Sequence, residues 1–451
     1  MNILIIGCGD VGSAIAQHLV IEEEHNVTVI DEDQEELNAL AEIIDVQIVC
    51  GRGSLPSTLA DAGAADIDLL IAVTNSDEVN MVACQMAHTI YNVPKKIARV
   101  SDVSFLNLAQ SQLYTPNHLP VDVLISPEEE VASSLYRTMF IPGAFDAHAF
   151  GDDKQAMMVG THVTEECSYL NIKLADWTRT DMPMHLLSIY RNERLIIPTN
   201  GDHLEVGDEV YFVSMQENVR QCLQKLGVDE PPLKSAFIIG GGRVGHRLAV
   251  KLETLGLSVR LLERDVNRAN YLAEKLTQTT VLQGDALNQR LLLQEGLAES
   301  DIVVSVTSDD SANIMSSIMA QQAGVKNVMT LVNQEGFGAI GDKMGLEKMV
   351  SPRQVSISRI LQHVRPGSII GVHTIREQQA EVVELILSPE APLVGVHLRD
   401  LNLPEGMMLG CIIRSSKGQV VMNDGDAILK ANDHIVLFTT QAAVAHINKL
   451  F

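Results

Sequence analysis

The sequence predicts an α/β protein built from two tandem Rossmann-like parallel-sheet domains, each followed by a small β-rich α+β lobe. Three observations predict it. A glycine hexad, Gly7-Cys8-Gly9-Asp10-Val11-Gly12, lies between a short apolar run and a stretch of helical period. The same pattern returns as Gly240-Gly241-Gly242-Arg243-Val244-Gly245, displaced by 233 positions (240 less 7). Around each hexad, β-rich apolar runs alternate with helix-period segments, as in a parallel sheet covered by helices. A self-similar period of this length bears on the fold more than any single motif.

The elements follow in order. Ile3-Leu4-Ile5-Ile6 reads as a first strand feeding a helix over Ser13 to Ile21, and Ala236-Phe237-Ile238-Ile239 with His246 to Leu255 repeats them. Val27 to Asp31 answers to Val259 to Glu263 as a second strand, and Gln34 to Ile44 is the helix after it in the first copy. Gly51-Arg52-Gly53 corresponds to Gly284-Asp285-Ala286, and Leu70 to Asn75 to Val303 to Ser308. A helix over Asp77 to Tyr91 leads to a fifth strand ending at Arg99, for which Thr330 is the expected counterpart. Ser126-Pro127 and Ser351-Pro352 each start an amphipathic helix, Glu128 to Phe140 and Arg353 to Val364. Proline in the first turn, with Glu128, Glu129 and Glu130 behind it, suits a helix N-terminus. Such a helix packs either on its own sheet or on another subunit, and its apolar residues are the expected assembly contacts.

Pro-Gly punctuation at Ile141-Pro142-Gly143 and Arg365-Pro366-Gly367 ends the α/β pattern. Short strands and turns follow: Arg194 to Pro198, Gly201-Asp202 and Val206 to Val213, then Gly418 to Met422, Gly425-Asp426 and Asn432 to Phe438. The expected divisions are a nucleotide-binding domain over 1–140, a C-lobe over 141–227, a linker over 228–234, a second nucleotide-binding domain over 235–365 and a second C-lobe over 366–451. Val228 to Leu233 is polar and proline-stiffened, as a linker should be.

Composition narrows the function classes. Among 451 residues, 33 basic against 58 acidic side chains leave a net charge of −25, which repels phosphate backbones and argues against nucleic acid as a partner. No apolar run reaches the ~18 residues that span a bilayer, and the start runs straight into a glycine turn instead of a signal-cleavage site. Six scattered cysteines lack the close pairing of zinc or redox motifs and suit a reducing cytoplasm.

The hexads carry the chemistry. Gly7 permits the tight turn, Gly9 lets backbone approach a pyrophosphate, and Gly12 lets the helix pack on the sheet. The helix N-terminus then offers N–H donors and a positive dipole to phosphate. Asp31 falls about twenty residues further on, where a carboxylate accepts the ribose hydroxyls. Glu263 does the same in the second copy. A carboxylate there also repels a 2′-phosphate, which favours ligands without one. Ligands of open parallel sheets lie at the carboxyl ends of the strands. Thr74, Asn75 and Arg99 are therefore candidate phosphate contacts, with Thr307 in the second site, where Asp285 is a further candidate ligand contact. Cys8 beside the turn is read as a small tolerant residue before a redox switch. No His, Lys, Tyr or Ser constellation suited to proton transfer follows either copy, so ligand binding used as a signal outranks a nicotinamide-dependent oxidoreductase or a docking scaffold with vestigial sites.

The residues resemble the RCK, or KTN, regulatory domains of potassium channels and transporters. The marks are the turns Gly7-x-Gly9-x-x-Gly12 and Gly240-x-Gly242-x-x-Gly245, Asp31 and Glu263, the Gly284 to Ala286 element and the Thr74 to Asp77 pattern. The resemblance covers essentially the whole chain, as an RCK-N lobe and a C-lobe, twice. It implies a cytoplasmic gating ring, a homotetramer with eight Rossmann lobes, docked under a membrane-embedded potassium-conducting partner. It also implies that NAD or NADH and ATP or ADP bind the Rossmann lobes and alter transport without turnover. Arg52 departs from the acid or Asn usual at its position. Glu128 matches a family acid that lies near a neighbouring subunit's phosphate or cation, where the second copy has Arg353. These inequalities lead to the expectation of two non-equivalent sites, one favouring ATP or ADP and the other NADH.

Overall fold

A computed structural model describes residues 1–21, 25–107, 113–115, 117–151, 153–177, 182–192, 194–346, 348–364, 369–375, 379–414, 419–422 and 424–447. The expected break at Arg365-Pro366-Gly367 and the residue Gly418 lie outside these.

Each repeat forms a six-stranded parallel sheet. In the first, the spatial order is Gln47–Cys50, Asn26–Asp31, Asn2–Ile6, Leu69–Ala72, Lys95–Arg99, Val123–Ile125. In the second it is Thr279–Gln283, Ser258–Glu263, Ser235–Ile239, Ile302–Ser305, Asn327–Leu331, Lys348–Val350. The central strands are apolar throughout because helices cover both faces. Leu4 and Ile5, and their counterparts Phe237 and Ile238, have no solvent exposure. The strand order reverses between the first and fourth strands, and the glycine turns sit at that switch point.

Each C-lobe is a five-stranded antiparallel sheet. The first runs Arg194–Ile196, Met184–Arg191, Glu209–Met215, Ala156–His162, Ala144–Phe150. The second reads Ile369–Ile375, Ala380–Ile386, His434–Thr440, Met407–Arg414, Gln419–Val421, the same connectivity from the opposite edge. The expected Val206 to Val213 strand begins only at Glu209, because Gly207 at φ +86° makes a turn that points Asp208 inward. Asp208, 1% exposed, then takes a bidentate ion pair from Arg191, with both N–O distances 2.7 Å.

The helices after Ser-Pro depart from expectation. The chain divides into two compact units, Met1–Pro127 with Arg353–Gly367, and Glu128–Pro352 with Ser368–Phe451. The Pro352–Val364 helix of the second repeat puts Ile357, Ile360, Leu361 and Val364 into the core formed by Ile3, Ile5, Val29 and Ile71 of the first sheet. The Lys95 ammonium donates to its His363 carbonyl at 2.6 Å. These apolar residues are core, which corrects their assignment as assembly contacts. The Pro127–Met139 helix of the first repeat meets the second repeat's Arg243–Glu253 helix through charge. Glu128 faces Arg243 (3.6 Å) and Arg247 (3.9 Å), and Glu129 faces Arg247 (3.8 Å) and Lys251 (2.7 Å). The two repeats have exchanged helices.

Candidate functional site

At the first glycine turn, Gly7 has φ +106° and donates its N–H to the Ile30 carbonyl at 2.8 Å, so the turn hangs on the neighbouring strand. A Cβ on Gly12 would lie 1.8 Å from the Gly7 carbonyl oxygen, which only glycine avoids. A Cβ on Gly9 would meet nothing within 4 Å, so backbone faces open space there. The Asp10–Ile21 helix begins at once, its first backbone bond running from Ser13 N–H to the Gly9 carbonyl. The N–H groups of Asp10, Val11 and Gly12 precede any intrahelical acceptor, the arrangement that receives an anion. Asp10 is exposed and Val11 rests on the core.

Asp31 is fixed beside this turn. One carboxylate oxygen accepts the Cys8 N–H at 2.6 Å and the other the Asp33 N–H at 2.9 Å, leaving further lone pairs outward. Cys8 is 4% exposed, and burial, then Asp31, Glu36 and Asp33, push its thiol up to about 11, so it is a neutral filler of the turn.

The second turn repeats this geometry. Gly240 has φ +111° and bonds Leu262 O at 2.8 Å, a Cβ on Gly245 would come within 1.9 Å of Gly240 O, and Gly242 faces open space. Val244 is 9% exposed. Glu263 accepts the Gly241 N–H at 2.9 Å and the Asp265 N–H at 2.8 Å, matching Asp31 bond for bond. Asp285 is exposed, its carboxylate accepting the N–H of Leu287 at 2.8 Å within its own loop.

The far side of each site is built on an asparagine that sequence reasoning missed. Asn80, fully buried, accepts the Thr74 N–H (2.9 Å) and hydroxyl (2.7 Å) and donates to the carbonyls of Thr74 (3.1 Å) and Arg99 (3.0 Å). Asn313 makes the same four bonds to Thr307 (2.8, 2.7 and 3.0 Å) and Leu331 (3.0 Å). The Thr74 and Thr307 hydroxyl protons are thus directed at an asparagine and not outward. Both asparagines stand six positions after their threonine, and that shared spacing was available in the repeat comparison. The pairing also makes Leu331, not Thr330, the counterpart of Arg99, since the span from asparagine to carbonyl partner is 19 positions in the first repeat and 18 in the second. Arg99 reaches the Asn75 side-chain oxygen at 3.5 Å. Asp77 and Asp310 clasp the loop beyond, accepting the N–H groups of Ser101 and Asp102, and of Asn333 and Gln334.

Superposed by these bonds, the sites differ in charge. Asp33 and Asp265 each cap a helix, Gln34–Ile43 and Val266–Lys275, so Glu36 and Arg268 share one position. Arg268 donates Nε–H to the Gly241 carbonyl at 2.8 Å, reaches Gly242 O at 3.4 Å and lies over the Tyr271 ring at 5.0 Å. Burial, then Asp31, Asp33 and Asp10, hold the Glu36 carboxyl above its usual range. Asp10 answers to Arg243 and Glu32 to Arg264 in the same way, whereas Arg52 answers to Asp285. Arg52 is exposed and pairs with Glu32 at 3.2 Å.

Among the described residues, no group of three His, Cys, Asp or Glu side chains is placed to hold a metal ion, and no helix is long and apolar enough to cross a membrane. Residues 3–127 and 236–352 match the TrkA-N domain family, and residues 382–451 the TrkA-C domain family. The chain is 36% identical to the Trk system potassium uptake protein TrkA of Azorhizobium caulinodans, across 100% of this chain and 98% of that one. It is also 36% identical to the proteins of that name from Halomonas elongata and Haemophilus influenzae, at the same coverage. Among solved structures, a GsuK channel bound to NAD shares the fold with a TM-score of 0.61 and 17% identity, covering 100% of this chain and 78% of that one.

Proposed function

The chain belongs to the TrkA family of Trk-system potassium-uptake proteins, and from that premise we propose that it is a nucleotide-sensing regulatory subunit controlling potassium flux through a membrane-embedded Trk-type partner. Its relatives are named for potassium uptake and not for a catalysed reaction. The observation that carries the reading is the pair of open glycine turns, each with three leading helix N–H groups and a carboxylate fixed by two backbone bonds. That is an equipped dinucleotide site, present twice.

In this reading NAD or NADH, and ATP or ADP, place their phosphates over Gly7 to Gly12 and Gly240 to Gly245. Asp31 and Glu263 take the ribose hydroxyls, and Asn75 and Arg99, or Thr307, border the far end. The unequal charges make the sites prefer different nucleotides. Asn80 and Asn313 tie the strand ends to the following helices, so a ligand that favours one setting of these loops biases the helix as well. The functional divisions are the nucleotide domains 1–140 and 235–365 and the lobes 141–227 and 366–451, with helices exchanged. The assembly is a homotetramer on the cytoplasmic face of the membrane, bound through its partner.

Thermal melts with NADH, NAD, ATP and ADP test the sites. A ligand at 100 times its Kd adds about 2.7 kcal/mol of stability. Asp31→Ala and Glu263→Ala should each remove part of the shift, and potassium uptake in cells lacking the chain should be restored less well by either variant. Melts that no nucleotide moves would overturn the reading.

A further inference from the structure

Resting on that nucleotide reading, we propose that the second site accepts a dinucleotide bearing a 2′-phosphate, NADP or NADPH, and that the first site rejects it. The argument is geometric. The carboxylate at the end of the second strand marks where the adenine ribose hydroxyls lie. In the second repeat that carboxylate and a guanidinium grip the same residue: Glu263 takes the Gly241 N–H and Arg268 takes the Gly241 carbonyl. Arg268 is therefore held beside the ribose position by two turn carbonyls and the Tyr271 ring, half-buried and with its direction fixed.

A guanidinium carries five donors in a rigid fork. Nε and one Nη–H are engaged with the turn, which leaves donors for a phosphate without breaking either bond. The Glu263 carboxylate, which on sequence alone disfavours a 2′-phosphate, is offset here by the Arg268 guanidinium held at the same turn, with Arg264 next to it in sequence. An ordering cost is small here, because the arginine is already in place.

The first repeat reverses the charge of both arginines, while Asp31 and Asp33 keep the sign of Glu263 and Asp265. Glu36 replaces Arg268 and Glu32 replaces Arg264. Burial and the neighbouring acids already raise the Glu36 carboxyl, so the field at this corner resists even one more negative charge. Arg52, the nearby cation, is engaged with Glu32. The two sites thus share a frame that reads the ribose and differ in whether it tolerates phosphate on it.

NADH and NADPH differ only by that phosphate and both fluoresce, so titrating the full chain with each tests the proposal. The native chain should bind NADH at two sites and NADPH at one. Arg268→Glu should lower the NADPH affinity relative to NADH by at least about tenfold, the scale of one lost charge-assisted bond. Glu36→Arg should raise the NADPH stoichiometry from one to two, a gain that loss of structure cannot produce. NADPH bound at neither site or equally at both, or an unchanged NADPH-to-NADH ratio in Arg268→Glu, would overturn the inference alone. Absence of binding by NADH as well would overturn the nucleotide reading beneath it.

Discussion

Asn80 uses both ends of its amide between two strand ends, without solvent to replace any bond it loses. Asn80→Ala leaves the Thr74 and Arg99 carbonyls and the Thr74 N–H unpaired in the interior, each at about 1–3 kcal/mol. A stability loss of about 3 kcal/mol in denaturant melts, with weakened nucleotide binding at the first site, is the expected outcome. Unchanged binding in the folded fraction would show that the asparagine braces the fold and not the site. Thiol chemistry offers a second residue-scale prediction. Cys8 is pushed up to about 11 and Cys84 to about 12, both chiefly by burial, while Cys50 is exposed. The thiolate is the reactive form. Titration of the native chain with a thiol reagent should show Cys50 reacting first, and Cys50→Ser should remove the fast phase. The glycines and acids of the site were legible because their roles are fixed by backbone geometry that leaves a motif. Asn80 left only its six-residue spacing from Thr74, repeated by Asn313 and Thr307, and Arg268 left no signal, since an arginine inside a helix is silent until its partners are known.

Helix exchange is the feature of element scale that periodicity could not supply. Amphipathic spacing over 353–364 announces a buried face but does not say whose sheet buries it. The charges resolve it after the fact: Glu128 and Glu129 match Arg243, Arg247 and Lys251 of the second repeat, while the first repeat offers Asp10 at the position of Arg243. Ile360 is fully buried in the first core, so Ile360→Ala should cost about 2–5 kcal/mol. Hydrogen exchange should show the loss in residues 1–127, and protection lost only in 235–350 would contradict the exchange. Parallel strands were readable from apolar runs such as Ile3 to Ile6. The lobe strands Ala144–Phe150 and Ala156–His162 were not, because their sequences, rich in Ala, His, Asp and Met, lack the β-branched alternation that marks a strand.

Across the whole molecule, duplication was plain from the 233-residue displacement, and the acidic balance of −25 sets the sign of any partner surface. The two lobes share one core in which Phe150, Met158 and Val213 meet Ile375, Val382 and Phe438. Beside it His148 stacks on His373 at 4.7 Å, and His373 pairs with Asp146 at 2.9 Å. Burial, then His373 and Arg137, hold His148 well below the usual histidine range, and burial pushes His185 down to about 4. The unfolded chain takes up these protons near pH 6.5 and the folded chain does not. Their stabilisation is complete above pH 6.5 and is lost as pH falls from there toward 4, by up to about 1.4 kcal/mol per group per pH unit. Urea midpoints should therefore drop between pH 7 and pH 5, and His148→Gln should flatten that drop. A midpoint that rises on acidification would contradict it.

The exchanged helix also sets a schedule for biosynthesis. The first core is composed of residues up to 127 and closed by a helix that begins at Pro352. At about 5–20 residues per second, a ribosome needs roughly 11–45 s to make the intervening stretch. Throughout that interval the face around Ile3 and Ile71 is covered by the helices over 10–21 and 34–43 but lacks its last helix, leaving apolar surface for chaperones to bind. Splitting the gene at residues 228–234 would give two products that each lack a helix the other carries, soluble only when made together.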